Sequence, residues 1–395
     1  MAKSPKVVDF STHFSGPVAA RWLTHLGADV IKVEHPVVGD GNRKFGPMFH
    51  EDSVHHLYLN AGTRSLAMAW QSPEWPRTVQ ALANWADVVI VGNRPAQAER
   101  LGIDAAAMLG HNPALVYCMI TGYGLDGEWA ALPAHGLNMD ALAGAVLLKR
   151  DDGDLRVSHR YRSVGTTVAG IEAALGIYAA LHRRAQGQGG QVVQVSIWEA
   201  ALAWQWRDLV TQANLGHAWT EYQDLGSRYA VYTTQDDKAL LVCPIEQRFW
   251  EQFCDVLGLP ADIKARGDWS GGMDLGADYR SLGESQLIAG VIRTRPQSVW
   301  LERLRAAQVP VSPVLDYTEA MASAHAQANG VMGSYQIHGH TASMPVPPVS
   351  ITPVDSGVDG ATLAASHRAK SECVPRPPDL GEHNREILME LGLEP

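Results

Sequence analysis

The stretch VGTTVAGIEAALGIYAALHRR, from Val164 to Arg184, poses the first chemical question in the chain. Its apolar residues recur at helical spacing and two arginines close it, so it reads as a helix. The front, Gly165-Thr166-Thr167, follows a loop rich in Asp, Arg and His. A helix start carries unpaired backbone N–H groups and suits an anion or a catalytic group. This one offers a pair of threonines, whose simplest role is an N-cap by Thr166 or Thr167. Other candidate reactive groups are His55-His56 and His338-x-His340, which no carboxylate cluster accompanies, so no metal site is expected. Cys118, Cys243, Cys254 and Cys373 have spacings that fit no metal site either. No G-x-G-x-x-G follows the first strand, and neither a Walker A sequence nor a G-x-S-x-G elbow occurs. Nicotinamide, ATP, metal and serine-hydrolase chemistry all lose support.

The elements that must position these groups alternate. KVVDFS reads as a short buried strand, followed by a helix from Pro17 to Leu26, a stop at Gly27 and a strand from Val30 to Val33. TRSLAMAW is a further strand, PEWPRTVQALANWADVVIVG a helix and a strand, and PALVYCMITGYG a strand that ends in a Gly-rich turn. The helix at Val164 and GGQVVQVSIWEAALAWQW continue the pattern. Such alternation predicts an α/β fold with a doubly wound, mostly parallel sheet. Ligands in such sheets lie beyond the carboxyl ends of the strands, which directs attention to residues 34–44, 92–102 and 122–144. The texture changes near Gly226, where RYAVYTTQDDKALLVCPIE reads as a hairpin turning at Asp236-Asp237. Short helices follow to about Ala307. The expected division is a large domain over 1–225, onto which 330–395 packs back, and a smaller α+β domain over 226–329.

The chain has 395 residues, 46% of them hydrophobic, enough for a sizeable core. A net charge of −10 disfavours a nucleic-acid partner, though not a local basic pocket for one phosphorylated ligand. No apolar run is long enough to span a bilayer, so no membrane partner is expected. Unpaired cysteines and the lack of a signal peptide point to the cytoplasm. Trp198, Trp204, Trp206, Trp219 and Tyr222 suit either a large or aromatic substrate group or amphipathic helix packing.

Several segments together carry a resemblance. SGPVAARWLTHLGADVIKVEHPVVGD, LNAGTRSLAM, ADVVIVGNRPAQAERLGI, NPALVYCMITGYGLDGEW, GQGGQVVQVSIWEAAL and DLGEHNREILMELG resemble, in the same order, the family III CoA-transferases, which also contain the 2-methylacyl-CoA racemases. The resemblance implies a Rossmann-like large domain built from both chain ends, a small inserted domain, and two subunits interlocked like rings. It implies coenzyme A or acyl-CoA as substrate, a carboxylic acid as second substrate, and no permanently bound cofactor. His13, Arg43, Lys44, Asn60, Arg64, Arg94, Arg100, Tyr123 and Gly124 are the candidate CoA contacts on this comparison. Arg94 suits a CoA phosphate, with a salt bridge to Glu99 as the alternative. Where the family writes LNRNKRS, this chain has Ala61 and Thr63 at two basic positions. Arg43 and Lys44 are expected to compensate in part.

The same comparison sharpens the question at Thr166. Family transferases place an Asp there, after a Gly, and that carboxylate attacks the thioester. No Asp or Glu lies between Arg156 and Ile171. A threonine hydroxyl makes a poor substitute, because its pKa is too high without a base and its ester too stable. PAHGLNMDALAG resembles the racemase segment that carries the base and puts His135 on that position, with Glu246 of CPIEQRFWEQF as its orienting group. Asp140 lies in the same segment in a different register and is given no role. Three readings follow. The first is a CoA-transferase component, homodimeric or paired with a related chain that carries the nucleophile. The second is a racemase or one-base isomerase using His135. The third is a non-catalytic acyl-CoA-binding scaffold.

Overall fold

In the structure, a computed structural model, residues 4–159, 161–217, 225–276, 283–352, 359–372 and 374–394 are described. Cys373, Trp219 and Tyr222 lie outside them. The chain divides into two compact units, Met1–Trp206 with Ala324–Pro395, and Arg207–Ser323.

The first unit runs β1 (Lys6–Asp9), α1 (Ser15–His25), β2 (Asp29–Glu34), α2 (Val54–Leu59), β3 (Arg64–Ala67), α3 (Trp75–Trp85), β4 (Val88–Val91), α4 (Pro95–Leu101), α5 (Ala105–His111), β5 (Val116–Thr121), α6 (Gly136–Leu142), β6 (Leu148–Asp151), β7 (Asp154–Val157), α7 (Gly165–Ala185), β8 (Gln191–Ser196) and α8 (Ile197–Trp204). Six strands form one sheet in the order β8-β5-β4-β1-β2-β3. Every pairing in it is parallel. Strand order reverses between β1 and β4, and a crevice opens at such a switch point.

Side chains alternate along each strand and feed two apolar layers. Val8, Ile31, Leu66, Val89 and Tyr117 pack with Leu82 of α3 and Met108 of α5. Val7, Val30, Val88, Ile90 and Cys118 pack on the other face with Leu23 of α1 and Ile177 of α7. Gly170 lets α7 close on α1, since a Cβ there would stand 2.5 Å from the Ser15 carbonyl oxygen. The TRSLAMAW run pairs only over Arg64–Ala67. Two further hairpins join the expected elements. One is β6–β7, and the other pairs Met332–Ile337 with His340–Pro345.

The second unit carries α9 (Trp206–Leu215) apart from Trp206, then β9 (Ala230–Thr233), β10 (Ala239–Val242), α10 (Gln247–Leu257) and β11 (Val311–Pro313). β9, β10 and β11 form an antiparallel sheet over a core of Trp250, Phe253, Ile288 and Trp300. The hairpin turns at Asp237, which has φ of 57°. The unit begins at Arg207 rather than Gly226, because α9 groups with it by contact while turn residues had marked the texture change.

One buried ion cluster joins the carboxyl ends of β1 and β2 to the loop that follows. The Lys32 ammonium, 1% exposed, lies 2.9 Å from Asp9 Oδ2 and 2.8 Å from Asp40 Oδ2. It also donates to the Ser11 carbonyl at 2.5 Å. Burial opposes its charge, but the two carboxylates outweigh that and raise its pKa. Replacing Lys32 with Met strips two buried carboxylates of their counter-ion. We expect a loss of roughly 3–5 kcal/mol, read as a lower urea midpoint at neutral pH. An unchanged midpoint would show that the cluster does not hold the loop.

Candidate active site

Two clefts open at the carboxyl ends of the strands, both within the first unit. The larger, about 530 Å³, is lined by Arg94, Gln97, Arg100, Gly124 and Leu125 among others. The second, about 420 Å³, lies at the switch point and is lined by Phe10, Thr12 and His13 after β1, Gly39–Gly41 after β2, and Gly92–Arg94 after β4. Arg94, Gln97 and Arg100 border both clefts, so one face of α4 divides them. Arg94 and Arg100 are exposed, and among the described residues no carboxylate lies in ion-pair range of either, Glu99 included.

The wall between β1 and β2 is built from backbone held by carboxylates. Asp40 Oδ1 accepts from the amides of His13 (2.8 Å) and Asn42 (2.9 Å). His13 is thereby kept in a left-handed conformation, φ 69°, unusual for a residue other than glycine. Its ring lies over Gly41, where a Cβ would come within 2.4 Å of Nε2. Only glycine admits this stacking. Lys44 is exposed at the outer end of the same loop.

Three of the expected CoA contacts are committed elsewhere. Arg43 forms a two-point ion pair with Glu34, Nε to Oε2 and Nη2 to Oε1, each 2.7 Å. Burial pushes the Glu34 carboxyl up, but Arg43 and the Ser65 hydroxyl more than reverse this and leave it below the usual range. Arg43 therefore braces the loop and does not present a free cation. Asn60 is buried and holds Asn42 Oδ1 at 3.0 Å, a support beneath that loop. Arg64 stands at the amino end of β3, away from the strand ends that make the crevice. Asp29, Glu386 and Glu390 hold it at 2.7, 3.0 and 2.9 Å. Tyr123 is buried, its ring tilted 5.7 Å from that of Trp129. Gly124 lines the larger cleft with φ of 89°.

The second cleft is also lined by Pro133 and Ala134. His135 follows at the N-cap of α6, exposed, with its amide donating to Asn138 Oδ1 at 3.0 Å. A Cβ on Gly136 would stand 2.9 Å from Thr166 Cγ2, so Thr166 packs its methyl on α6. Neither Thr166 nor Thr167 is an N-cap. Val164 holds that place and makes no side-chain cap. The cap comes from α6 instead. Asp140, fully buried, accepts from the Gly165 amide at 3.0 Å through Oδ1. Its Oδ2 accepts from Ser163 Oγ at 2.5 Å and from the Tyr161 hydroxyl. Sequence reasoning missed this role because the capping carboxylate comes from a separate helix. Gly165 was the available signal, since a Cβ there would stand 2.6 Å from Asp140 Oδ1.

Glu246 is half-buried in the second unit, at the N-cap of α10. Among the described residues, no three His, Cys, Asp or Glu side chains converge as metal ligands. His55 stacks on Phe45, and His340 stacks on His50 at 3.4 Å. Trp204 and Trp206 are largely exposed. No described helix is long and apolar enough to cross a membrane.

The chain matches the family model described as CoA-transferase family III over residues 4–384. It is 26% identical over 356 residues to an acetyl-CoA:oxalate CoA-transferase of Acetobacter aceti, covering 88% of each chain. It is 25% identical over 401 residues to the beta subunit of a succinyl-CoA–L-malate CoA-transferase of Chloroflexus aurantiacus, covering 98% of this chain and 93% of that one. The alpha subunit of the Chloroflexus aurantiacus enzyme is 28% identical over 197 residues, 49% of this chain and 46% of its own length. The fold also matches Rv3272 of Mycobacterium tuberculosis, with a TM-score of 0.77 at 21% identity, over 96% of both chains.

The loop beneath the second cleft carries a pH dependence of its own. His56 Nε2 lies 3.1 Å from Arg43 Nη1, a permanent donor, so the ring accepts there and is neutral. Burial, and then Arg43, lower its pKa from 6.5 to about 4. Between those values the unfolded chain binds a proton that the folded chain refuses, so stability falls as pH drops through this window. The loss on acidification is about 3 kcal/mol from this group. Urea midpoints measured at pH 7 and pH 4.5 should differ less for His56→Gln than for the parent. Equal differences would remove His56 as the cause.

Proposed function

We propose, from the premise that this chain belongs to CoA-transferase family III, that it serves as the subunit without an attacking carboxylate in a two-chain enzyme. The chain is a CoA-transferase, and the reaction moves CoA between an acyl-CoA and a free carboxylic acid. The observation that supports the reading is the start of α7, Gly165-Thr166-Thr167, which offers no carboxylate of its own where the resemblance to the family leads us to expect its Asp. An acyl transfer of this type requires a carboxylate that attacks the thioester and later releases it. A partner chain with an Asp at its own helix start supplies that group. The likeness to both named subunits of one Chloroflexus enzyme supports pairing of related chains. Leu147, Leu155, Leu175 and Trp204, 59%, 59%, 71% and 63% exposed, give an apolar area that an interlocked partner would cover. No observation favours the isomerase reading.

CoA enters along the two clefts, with Arg94 and Arg100 as its phosphate ligands, Gly124 and His13 as backbone walls and Lys44 at the rim. Each arginine supplies a charge-assisted bond of roughly 1–3 kcal/mol. Arg94→Ala and Arg100→Ala should each weaken CoA binding roughly 5- to 100-fold by calorimetry. Unchanged affinity in both would move the phosphates elsewhere.

The function itself is tested by borohydride trapping with succinyl-CoA and an acceptor acid, read by intact mass. This chain alone should stay unlabelled, while a related chain that co-purifies with it takes the adduct. An adduct on this chain would end the reading of a subunit without its own nucleophile.

A further inference from the structure

The loss of an Asp at position 166 and the presence of Asp140 are two sides of one arrangement. We propose that Asp140 is a positioning residue that closes this chain's own acyl-transfer site, by filling with its carboxylate the place at the start of α7 that an attacking carboxylate would need. The inference deepens the reading of a subunit without a nucleophile, and rests on it.

The geometry leaves room for one carboxylate there. Asp140 is fully buried and both its oxygens are in use, Oδ1 by the Gly165 amide and Oδ2 by Ser163 and Tyr161. A helix of 21 residues favours a negative charge at its start. That preference is already met by a group from another element. Residue 166 is the next residue along, and its side chain packs on Gly136. Gly136 and Asp140 are four apart on α6, so they lie on one face, about 5–6 Å from each other. A side chain at 166 is therefore directed at the helix face that carries Asp140. Two carboxylates in that space would repel, and one would have to take up a proton or leave. Threonine is compatible with Asp140, because it brings a methyl to Gly136 and no charge. The packing around Gly165 fixes the arrangement further, since the Ile197 carbonyl oxygen and Ala201 Cβ would lie 2.9 and 3.0 Å from a Cβ there. The helix start cannot slide away from Asp140.

The test compares the parent, Thr166→Asp, Asp140→Asn and the double variant. Asparagine keeps an oxygen for the Gly165 amide and removes the charge, which protects folding. With succinyl-CoA, the introduced carboxylate would attack the thioester carbon, break the C–S bond and release CoA as the thiolate. The thiolate would then attack the enzyme's side of the anhydride, free succinate and leave an enzyme-bound CoA thioester, which borohydride reduces. The double variant should take this modification at position 166, at least tenfold more than Thr166→Asp alone. Equal labelling of Thr166→Asp and the double variant, or a folded double variant that does not label, would overturn the proposal. Thermal melts provide a readout independent of catalysis. Thr166→Asp should lower Tm when Asp140 is present and cost much less when position 140 is Asn. Strictly additive Tm shifts would overturn the proposal even if the parent proved to carry a nucleophile elsewhere. Labelling of the parent with non-additive Tm shifts would instead overturn only the functional reading.

Discussion

The ammonium of Lys32 is the interaction on which the site's architecture depends. A lysine on a central strand, sealed from water, is tolerated only with close counter-charges. It obtains them from Asp9 at the end of β1 and from Asp40 in the loop after β2. The same Asp40 uses its other oxygen to hold the amides of His13 and Asn42. Its own amide donates to Glu34, which in turn binds Arg43 and Ser65. One buried cation thereby sets the course of the backbone along the whole β1–β2 side of the crevice. Moving the site wall would expose unpaired charge, which opposes its rearrangement.

The start of α7 uses the same physics toward a different end. There a buried carboxylate from α6 satisfies the helix, and Thr166 makes a methyl contact with Gly136. The crevice lining and the contact with the start of α7 lie two residues apart along the chain, at Ala134 and Gly136. Binding surface and chemical machinery can therefore change independently. Arg94 and Arg100 are exposed at α4, while the start of α7 is organised around Asp140.

Much of the parallel sheet was legible, because buried strands between helices leave apolar runs punctuated by glycine. β1, β2, β4 and β5 each have such a run. The β9–β10 hairpin was legible from its turn, whereas β6–β7 was not, because it is exposed on both strands and no alternation marks it. At the site, the segments after the strands were legible and individual contacts less so. Arg43 and Arg64 carry the charge expected of phosphate ligands, but sequence does not reveal the carboxylates folded against them. Glu34 lies nine residues from Arg43, and Glu386 lies 322 residues from Arg64. Asp140 was passed over for the same reason, since its register was judged against its own segment while its partner amide is 25 residues away.

β3 is the outer strand of the sheet, and its neighbours on the open side come from the far end of the sequence. Gly381 donates to Ser65 Oγ, and Asn384 bonds both the amide and the carbonyl of Ala67 across 317 positions. A ribosome therefore delivers this strand long before it delivers the segment that covers it. Throughout the intervening synthesis the nascent sheet presents an unprotected edge, with Arg64 still lacking two of its three carboxylates. The emerging polypeptide has to keep that border away from other chains, and the last helix then seals it in a single late step.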